Sequence, residues 1–99
     1  MAGSAPPYRL SPLAETDLED IWVYTFKTWS SEQADRYQNQ IIATIKELAN
    51  GKKTGRPVPV REGYYKYAVG SHYVFYRVSG ASLDVIRILH QRMDVASHL

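Results

Sequence analysis

A chain of 99 residues is long enough for one small domain and too short for two. Apolar residues make up 44% of it and charged residues 22%, a balance typical of globular proteins and unlike that of disordered ones. The absence of cysteine excludes a disulfide framework and any thiolate metal site, and it suits a reducing cytosol. We therefore expect a cytoplasmic globular domain.

The N-terminal residues and the hydropathy of the chain indicate no targeting segment. No run approaches the ~18 apolar residues that cross a membrane. The first residues, MAGSAPP, lack a basic region followed by an apolar core, so we expect no secretory leader. Residues 1–6 are interpreted as a flexible N-terminus, and the single domain is predicted to span residues 7–99.

Charge is divided unevenly between the two halves of the chain. The formal net charge is +2, but residues 1–50 hold four Lys and Arg against seven Asp and Glu, and residues 51–99 hold eight against three. All three histidines also lie in the second half. A basic half favours an anionic partner, although ordinary scatter of surface charge explains the same counts.

The first predicted elements are a short extended segment at residues 7–11 and a long helix. Ser11 can cap this helix, Pro12 fits its first position, and acidic residues follow at its positive end. Apolar residues recur at three- and four-residue spacing from Ala14 to Trp29, which predicts a helix of about 17 residues. We expect Trp22 and Trp29 to belong to its buried stripe.

A second helix is predicted for Glu32–Asn50. Ser31 is its expected N-cap, and Gly51 ends it in the left-handed conformation that commonly follows a helix. Because only about two or three residues link the two helices, they must form an antiparallel hairpin.

After the second helix, the spacing of apolar residues changes from the helical period to the two-residue period of strands. Gly and Pro mark Lys52–Val60 as a loop. Strands are predicted at Tyr64–Val69, His72–Val78 and Leu83–His90, with turns short enough for an antiparallel meander. The predicted fold is α+β: an N-terminal strand, a helical hairpin, a three-strand meander and a short C-terminal tail.

The last predicted strand is apolar on both faces. Strict alternation gives two sets: Ile86 with Ile88, and Leu83, Val85 and Leu89 around Arg87. One helical hairpin covers one face of a sheet. Either the tail folds over the second face, or another chain covers it.

Arg87 lies inside this apolar run. A lone buried charge is costly, so its guanidinium must reach water or a carboxylate. Two interpretations stay open. Arg87 forms an ion pair with an acidic residue of the hairpin, or it anchors an acidic segment of a partner through a bidentate contact.

Three segments together resemble the ParE toxins of bacterial toxin–antitoxin systems, within the wider RelE/ParE superfamily. They are YRLSPLAETDLEDIW near the start, GSHYVFYRV in the penultimate strand and VIRILHQRMDVASHL at the end. The resemblance covers Tyr8 to Leu99. It implies a RelE/ParE-like fold, a toxin that inhibits DNA gyrase, and a ParD-like antitoxin whose C-terminal region wraps over the toxin.

Two sets of site residues follow from this resemblance and from the side-chain chemistry. Antitoxin contacts are assigned to Trp22, Trp29, Tyr67, Arg77, Arg87 and Leu89. Contacts with the target are assigned to Lys52, Lys53, Arg56, His90, Arg92 and Met93. Direct contact with nucleic acid stays open.

Three function classes are compatible with these residues. The first is a binding toxin, without catalysis, that acts on gyrase. The second is a ribosome-dependent ribonuclease like RelE, in which Arg77, Arg87, His90 and Arg92 would supply an acid or base and cations. The third is a non-toxic binding module of the same fold. We favour the first. RelE-type sites gather several basic residues with, typically, a tyrosine or histidine near the C-terminus, whereas here the tail carries Met93 and Asp94 and no tyrosine follows residue 76.

The sequence predicts no metal or cofactor. Its histidines lack short-spaced partners, and no phosphate-binding glycine loop is present.

Overall fold

A computed structural model describes residues 8–99. The expectation of a flexible segment at residues 1–6 lies outside the described residues, as does Pro7. The elements in chain order are β1 (Tyr8–Leu10), α1 (Pro12–Thr28), α2 (Ser31–Ala49), β2 (Arg56–Pro57), β3 (Tyr65–Val69), β4 (His72–Ser79), β5 (Ser82–His90) and a 3-10 helix (Val95–Ser97).

The strands form one sheet in the order β1-β5-β4-β3-β2. Strand β1 runs parallel to β5, and all other neighbours are antiparallel. The helical hairpin packs on one face of this sheet. The predicted α+β fold, with its N-terminal strand, hairpin and meander, is confirmed.

Helix α1 begins as its sequence predicts. The Ser11 hydroxyl accepts a hydrogen bond from the Ala14 N–H at 3.0 Å, and it donates to the Ile86 carbonyl at 2.7 Å. One side chain therefore caps the helix and ties it to β5.

Helix α2 begins one residue earlier than predicted. Its N-cap is Ser30, which is extended and accepts from the Gln33 N–H at 3.1 Å, so Ser31 is the first helical residue. Either serine could cap from its side-chain chemistry, and the backbone conformation of Ser30 decides between them. Gly51 ends the helix with φ +83°, as predicted.

Strand β2 was not predicted. Arg56 and Pro57 pair with Lys66 and Tyr65 inside the segment expected to be a loop. A two-residue edge strand that contains proline gives no periodic signal, and proline is tolerated there because an edge strand leaves one side unpaired.

A β-bulge in β5 changes which of its residues share a face. The pairing with β4 shifts by one residue, so that Ile86 has no partner there. Leu83 and Val85 therefore join Ile88 in the core beneath the helices, while Leu89 packs on the opposite face. The prediction of faces from strict alternation is wrong at this bulge.

The second face of the sheet carries a small core of its own. Val58, Phe75 and Leu89 are buried there. Tyr64 and Tyr73 pack against them, as do Val95 and Leu99 from the tail. Of the two alternatives left open by the sequence, the structure shows the tail packing on this face.

Candidate partner-binding site

Arg87 forms an internal ion pair with Asp17 of α1. Its Nε and Nη2 atoms each donate to the Asp17 carboxylate at 2.8 Å, and the Ile88 N–H donates to the same carboxylate at 3.0 Å. The two side chains are 16% and 12% exposed. Hydrogen bonding to Asp17 raises the pKa of Arg87. The structure thus shows the first of the two interpretations. The two can hold at different times, so contact of Arg87 with an antitoxin stays a prediction.

Asp17 also replaces a missing strand neighbour. Strand β1 pairs with β5 only at Leu83–Val85. Beyond that point the Ile88 N–H would lie on an uncovered edge, and the Asp17 carboxylate accepts its hydrogen bond. This carboxylate is a structural group that joins α1 to the sheet.

Arg77 lies near the opposite end of β4 from the strand position that pairs with His90. It is paired with Asp84, whereas His72 at the start of β4 is paired with His90. Five residues of strand separate the two ends, roughly 17 Å at ~3.3 Å per residue. Arg77 and Arg9 share the carboxylate of Asp84, at 3.8 and 3.0 Å. Of the residues that a ribonuclease interpretation would combine, Arg77 therefore lies apart from His90.

The prediction that both tryptophans lie in the core is wrong. Trp29 is 74% exposed. Trp22 is half-buried, stacks on Phe26 with ring centroids 5.3 Å apart, and donates from Nε1 to Asp35 at 2.9 Å. The buried stripe of α1 consists of Ala14, Leu18, Ile21 and Thr25. Trp22 lies beside this stripe, and Trp29 follows its last residue, Thr25, by one helical turn, after α1 has ended at Thr28.

The C-terminal half of α1 and its C-cap residue expose a group of several large apolar side chains. We call it the hairpin patch, and it consists of Val23, Tyr24, Phe26 and Trp29, which are all exposed. Sequence reasoning missed Val23, Tyr24 and Phe26 because they do not belong to the buried stripe. The signal was available, since the stretch IWVYTFKTW is apolar around most of the helix, and such a helix is covered on more than one side.

A cleft opens between the tip of the hairpin and the β3–β4 turn. We call it the Trp29 cleft. Its volume is about 360 Å³, and it is lined by Tyr24, Thr25, Trp29, Gln33, Tyr37, Gly70, Ser71, His72 and His90. A second cavity, lined by Gly70, Ser71, His90, Gln91 and Arg92, shares three of these residues and so adjoins it.

The Tyr37 hydroxyl organises the floor of the Trp29 cleft. It donates to the Val69 carbonyl at 2.9 Å and accepts from the Ser71 N–H at 3.1 Å. It also lies 2.7 Å from Nδ1 of His72. Because a hydroxyl has one proton, all three contacts are satisfied only when His72 Nδ1 carries a proton and donates it. Burial raises the pKa of Tyr37, so its hydroxyl keeps its proton.

His72 and His90 meet edge to face in the same cleft. Their ring centroids are 5.3 Å apart. Burial, with a smaller contribution from His90, lowers the pKa of His72 to about 4, so that His72 is neutral near pH 7. Nδ1 of His90 accepts the Arg92 N–H at 3.1 Å. His90 is the exposed last residue of β5.

The basic residues of the predicted target site lie in two separate places. Lys52, Lys53 and Arg56 lie beside β2, at one edge of the sheet, whereas His90 precedes the exposed Arg92 and Met93 at the end of β5. Three strand spacings separate β2 from β5, about 14 Å at ~4.8 Å each. The structure therefore divides the six predicted residues into two groups.

The group beside β2 alternates cations with aromatic rings. Lys53 bonds Glu47 at 3.1 Å and lies 5.4 Å from the ring centre of Tyr67. Lys66 lies 4.5 Å from the ring centre of Tyr73. We define the basic edge as Lys52, Lys53, Arg56 and Lys66. Tyr67, predicted to contact an antitoxin, is half-buried here and packs against the main core.

Leu89 is buried under the tail. It is 2% exposed and belongs to the core of the second face. A partner could contact Leu89 only after displacing the tail, so the assignment of Leu89 to an antitoxin surface is not supported by this arrangement.

Residues 8–99 contain no group of three or more His, Asp or Glu that could hold a metal ion. Within the same part of the chain, no helix has both the length and the apolar character needed to cross a membrane.

Known proteins resemble this chain over nearly its whole length. The family model described as ParE toxin of type II toxin-antitoxin system, parDE, matches residues 8–95. Toxin ParE1 of Caulobacter vibrioides is 47% identical over 94 residues, which cover 94% of this chain and 97% of that protein. Toxin ParE1 of Mycobacterium tuberculosis is 44% identical over 94 residues, with 93% and 96% covered.

Two solved structures share the fold. A chain of the chromosomal ParDE TA system from P. aeruginosa aligns with a TM-score of 0.74 and 21% identity, over 84% of this chain and 92% of that chain. A chain of the RelBE2 toxin-antitoxin complex from Mycobacterium tuberculosis aligns with a TM-score of 0.52 and 19% identity, over 89% and 100%. At these identities the likeness concerns the fold alone.

Proposed function

The chain belongs to the ParE toxin family of type II toxin–antitoxin systems, and from this membership we propose that it inhibits DNA gyrase and is neutralised by a ParD-like antitoxin. The family membership confirms the resemblance stated from the sequence. The proposal places the toxin in the cytoplasm, where gyrase acts on chromosomal DNA, and it has the toxin bind its target without a catalytic step.

The hairpin patch is the observation that carries the antitoxin part of the proposal. Its four large apolar side chains come from the last two turns of α1 and its C-cap residue, and all are exposed in the isolated chain. Large apolar side chains exposed close together in sequence are typical of a protein interface, and aromatic residues are enriched among the side chains that dominate binding energy. We therefore assign the hairpin patch to the apolar face of the antitoxin segment.

The antitoxin assignment is tested by comparing two exposed apolar residues. Phe26→Ala should weaken binding of a ParD-like antitoxin by about 2 kcal/mol or more, roughly 30-fold, if Phe26 is a central contact. Val78 is also exposed but lies on β4 and not on the hairpin, so Val78→Ala is the matched control. Calorimetric titration of purified toxin with antitoxin measures both. Equal affinities for the two variants would remove the hairpin patch from the interface.

The basic edge supports the target part of the proposal. Lys52 and Arg56 are exposed. Within residues 8–99 neither is within ion-pairing distance of a carboxylate. Such cations are available to an acidic protein surface or to DNA phosphates, and both occur in a gyrase–DNA complex.

The gyrase assignment is tested by reversing charge. Purified toxin should block supercoiling and raise the amount of cleaved DNA. A Lys52→Glu, Arg56→Glu double variant should lose most of this activity, while Lys27→Glu, which reverses an exposed charge on α1, should keep it. Full inhibition by the double variant would show that the basic edge is not the target surface.

The absence of catalysis is tested at His90. Its Nδ1 atom already accepts the Arg92 N–H, and Arg77 and Arg87 are paired with Asp84 and Asp17. His90→Gln keeps a donor and an acceptor, so a binding toxin should tolerate it, whereas a general base would lose about 10²–10⁴-fold in rate. Cleavage of ribosome-bound messenger RNA that His90→Gln abolishes would favour the ribonuclease instead.

A further inference from the structure

The two histidines of the Trp29 cleft form a matched donor and acceptor. His72 carries its proton on Nδ1, toward Tyr37, which leaves Nε2 as an acceptor. His90 accepts a hydrogen bond at Nδ1, so its neutral ring carries the proton on Nε2 as a donor. Both rings line one cavity, and their centroids are 5.3 Å apart. A ligand that carries both a donor and an acceptor complements this pair.

The aromatic rings of the cleft favour a planar ring as the ligand. The indole of Trp29 is 74% exposed, and the phenol of Tyr24 is 68% exposed. Both line the cavity that contains the histidine pair. Stacking of a base on an exposed aromatic ring is a common mode of nucleobase recognition. A carboxamide side chain would match the histidine pair but would leave the indole uncovered.

The adjoining cavity supplies a cation. It shares Gly70, Ser71 and His90 with the Trp29 cleft and ends at Arg92. Arg92 is exposed, and no carboxylate of residues 8–99 lies within ion-pairing distance of it. A guanidinium is well suited to a bidentate contact with phosphate. The cleft volume of about 360 Å³ falls within the roughly 300–1,000 Å³ of small-molecule sites.

We propose that the Trp29 cleft binds a nucleobase that carries a phosphate: the base stacks on Trp29, its polar edge bonds His72 and His90, and the phosphate bonds Arg92. A free nucleotide and a single-stranded nucleic acid both provide this chemistry. The site goes beyond the proposed function, because it requires neither gyrase nor an antitoxin. An antitoxin that covers Trp29 would exclude the nucleotide.

The test is direct titration of the purified full chain. Trp22→Phe leaves Trp29 as the one tryptophan, so fluorescence then reports on the cleft. Adenosine, cytidine, guanosine and uridine monophosphates are the probes, with a short single-stranded oligonucleotide as a separate arm. Ribose 5-phosphate and inorganic phosphate are the controls. We expect saturable quenching by at least one monophosphate or by the oligonucleotide. Equal binding of ribose 5-phosphate would overturn recognition of the base.

Two variants locate the ligand, and calorimetry measures both. Trp29→Ala should weaken binding about 5- to 150-fold, the range of one base–aromatic stack. Arg92→Ala should weaken binding of the monophosphate about 10-fold or more and leave the nucleoside unchanged. Arg77→Ala, an exposed arginine at the far end of β4, should have no effect.

Three results would refute the site. They are no binding at millimolar nucleotide or oligonucleotide, unchanged affinity in Trp29→Ala, and preference for a glutamine-containing peptide over every nucleotide. None of them bears on inhibition of gyrase, so the site and the proposed function fail or stand separately.

Discussion

Asp17 is expected to be the most sensitive polar position of the fold. Its carboxylate accepts three hydrogen bonds, two from the Arg87 guanidinium at 2.8 Å and one from the Ile88 N–H at 3.0 Å. Asp17→Ala removes all three and leaves a guanidinium that is only 16% exposed without a counter-charge. Breaking a buried pair in this way costs about 3–5 kcal/mol.

This loss is large for a domain of this size. Domains are typically stable by about 5–15 kcal/mol, and each 1 kcal/mol shifts the melting temperature of a 60–100-residue domain by roughly 4–8 °C. We therefore expect the melting temperature of Asp17→Ala to fall by at least about 12 °C. Asp17→Asn keeps an acceptor for the Ile88 N–H and should lose less.

Urea unfolding at neutral pH measures the difference, and Arg9 provides the control. Arg9 also forms a bidentate contact, to Asp84, but its side chain is 69% exposed. Arg9→Ala should therefore cost no more than about 1 kcal/mol. If Asp17→Ala and Arg9→Ala lose similar free energies of unfolding, the argument that burial makes the Asp17 pair critical is wrong.

The Trp29 cleft yields three further predictions of stability. Tyr37→Phe should cost about 1–3 kcal/mol in urea unfolding, because it leaves the partners of the hydroxyl unsatisfied; a smaller loss would mean that water replaces the hydroxyl. Gly70→Ala should destabilise more than Gly80→Ala: both have positive φ, but a Cβ at Gly70 would lie 2.6 Å from the Tyr37 ring, whereas at Gly80 it meets open space. Equal losses of melting temperature would contradict that contact. The pKa of His72 is about 4 in the folded state and 6.5 in the unfolded chain, so the unfolded state binds the proton first as the pH falls. The stability that is present above pH 6.5 is therefore lost as the pH falls toward 4. Allowing for the partial exposure of the ring, the loss is about 1–2 kcal/mol, and it should disappear in His72→Gln when unfolding midpoints are compared at pH 7.5 and 4.5.

Local signals predicted most of the architecture. The serine and proline at Ser11 and Pro12 and the glycine at Gly51 mark helix ends through backbone chemistry that needs no tertiary contact. The change from helical to strand period marks the meander. These features depend on residues that are neighbours in sequence, and each is observed in the structure.

The errors arose where tertiary structure decides. The bulge at Ile86 is a property of the pairing between two strands, and no residue type in β5 predicts it. Trp29 lies close to the apolar period of α1, but the buried stripe ends at Thr25, so its ring faces outward. Hydrophobic spacing predicts which residues share a face, and it does not predict where burial stops.

The candidate site was even less accessible to sequence reasoning. Tyr37 and His72 are 35 residues apart, and the sheet brings His90 beside them. The two histidines had no short-spaced partners, so no motif marked them. Similarly, the ribonuclease alternative required Arg77 to lie near His90, and the pairing of β4 with β5 places Arg77 at the opposite end.

The separation of the two proposed surfaces constrains how an antitoxin could silence this toxin. The hairpin patch lies on α1, whereas the basic edge lies beside β2, at the opposite edge of the sheet from β1. A segment bound only to the hairpin patch would leave the basic edge free to meet its target. Under the proposed function, neutralisation therefore requires either steric exclusion by the body of the antitoxin, or an extended acidic segment that continues from the hairpin patch to the basic edge. The positive charge of Lys52 and Arg56 favours the second arrangement, because an acidic segment gains there the electrostatic attraction that the target would otherwise gain.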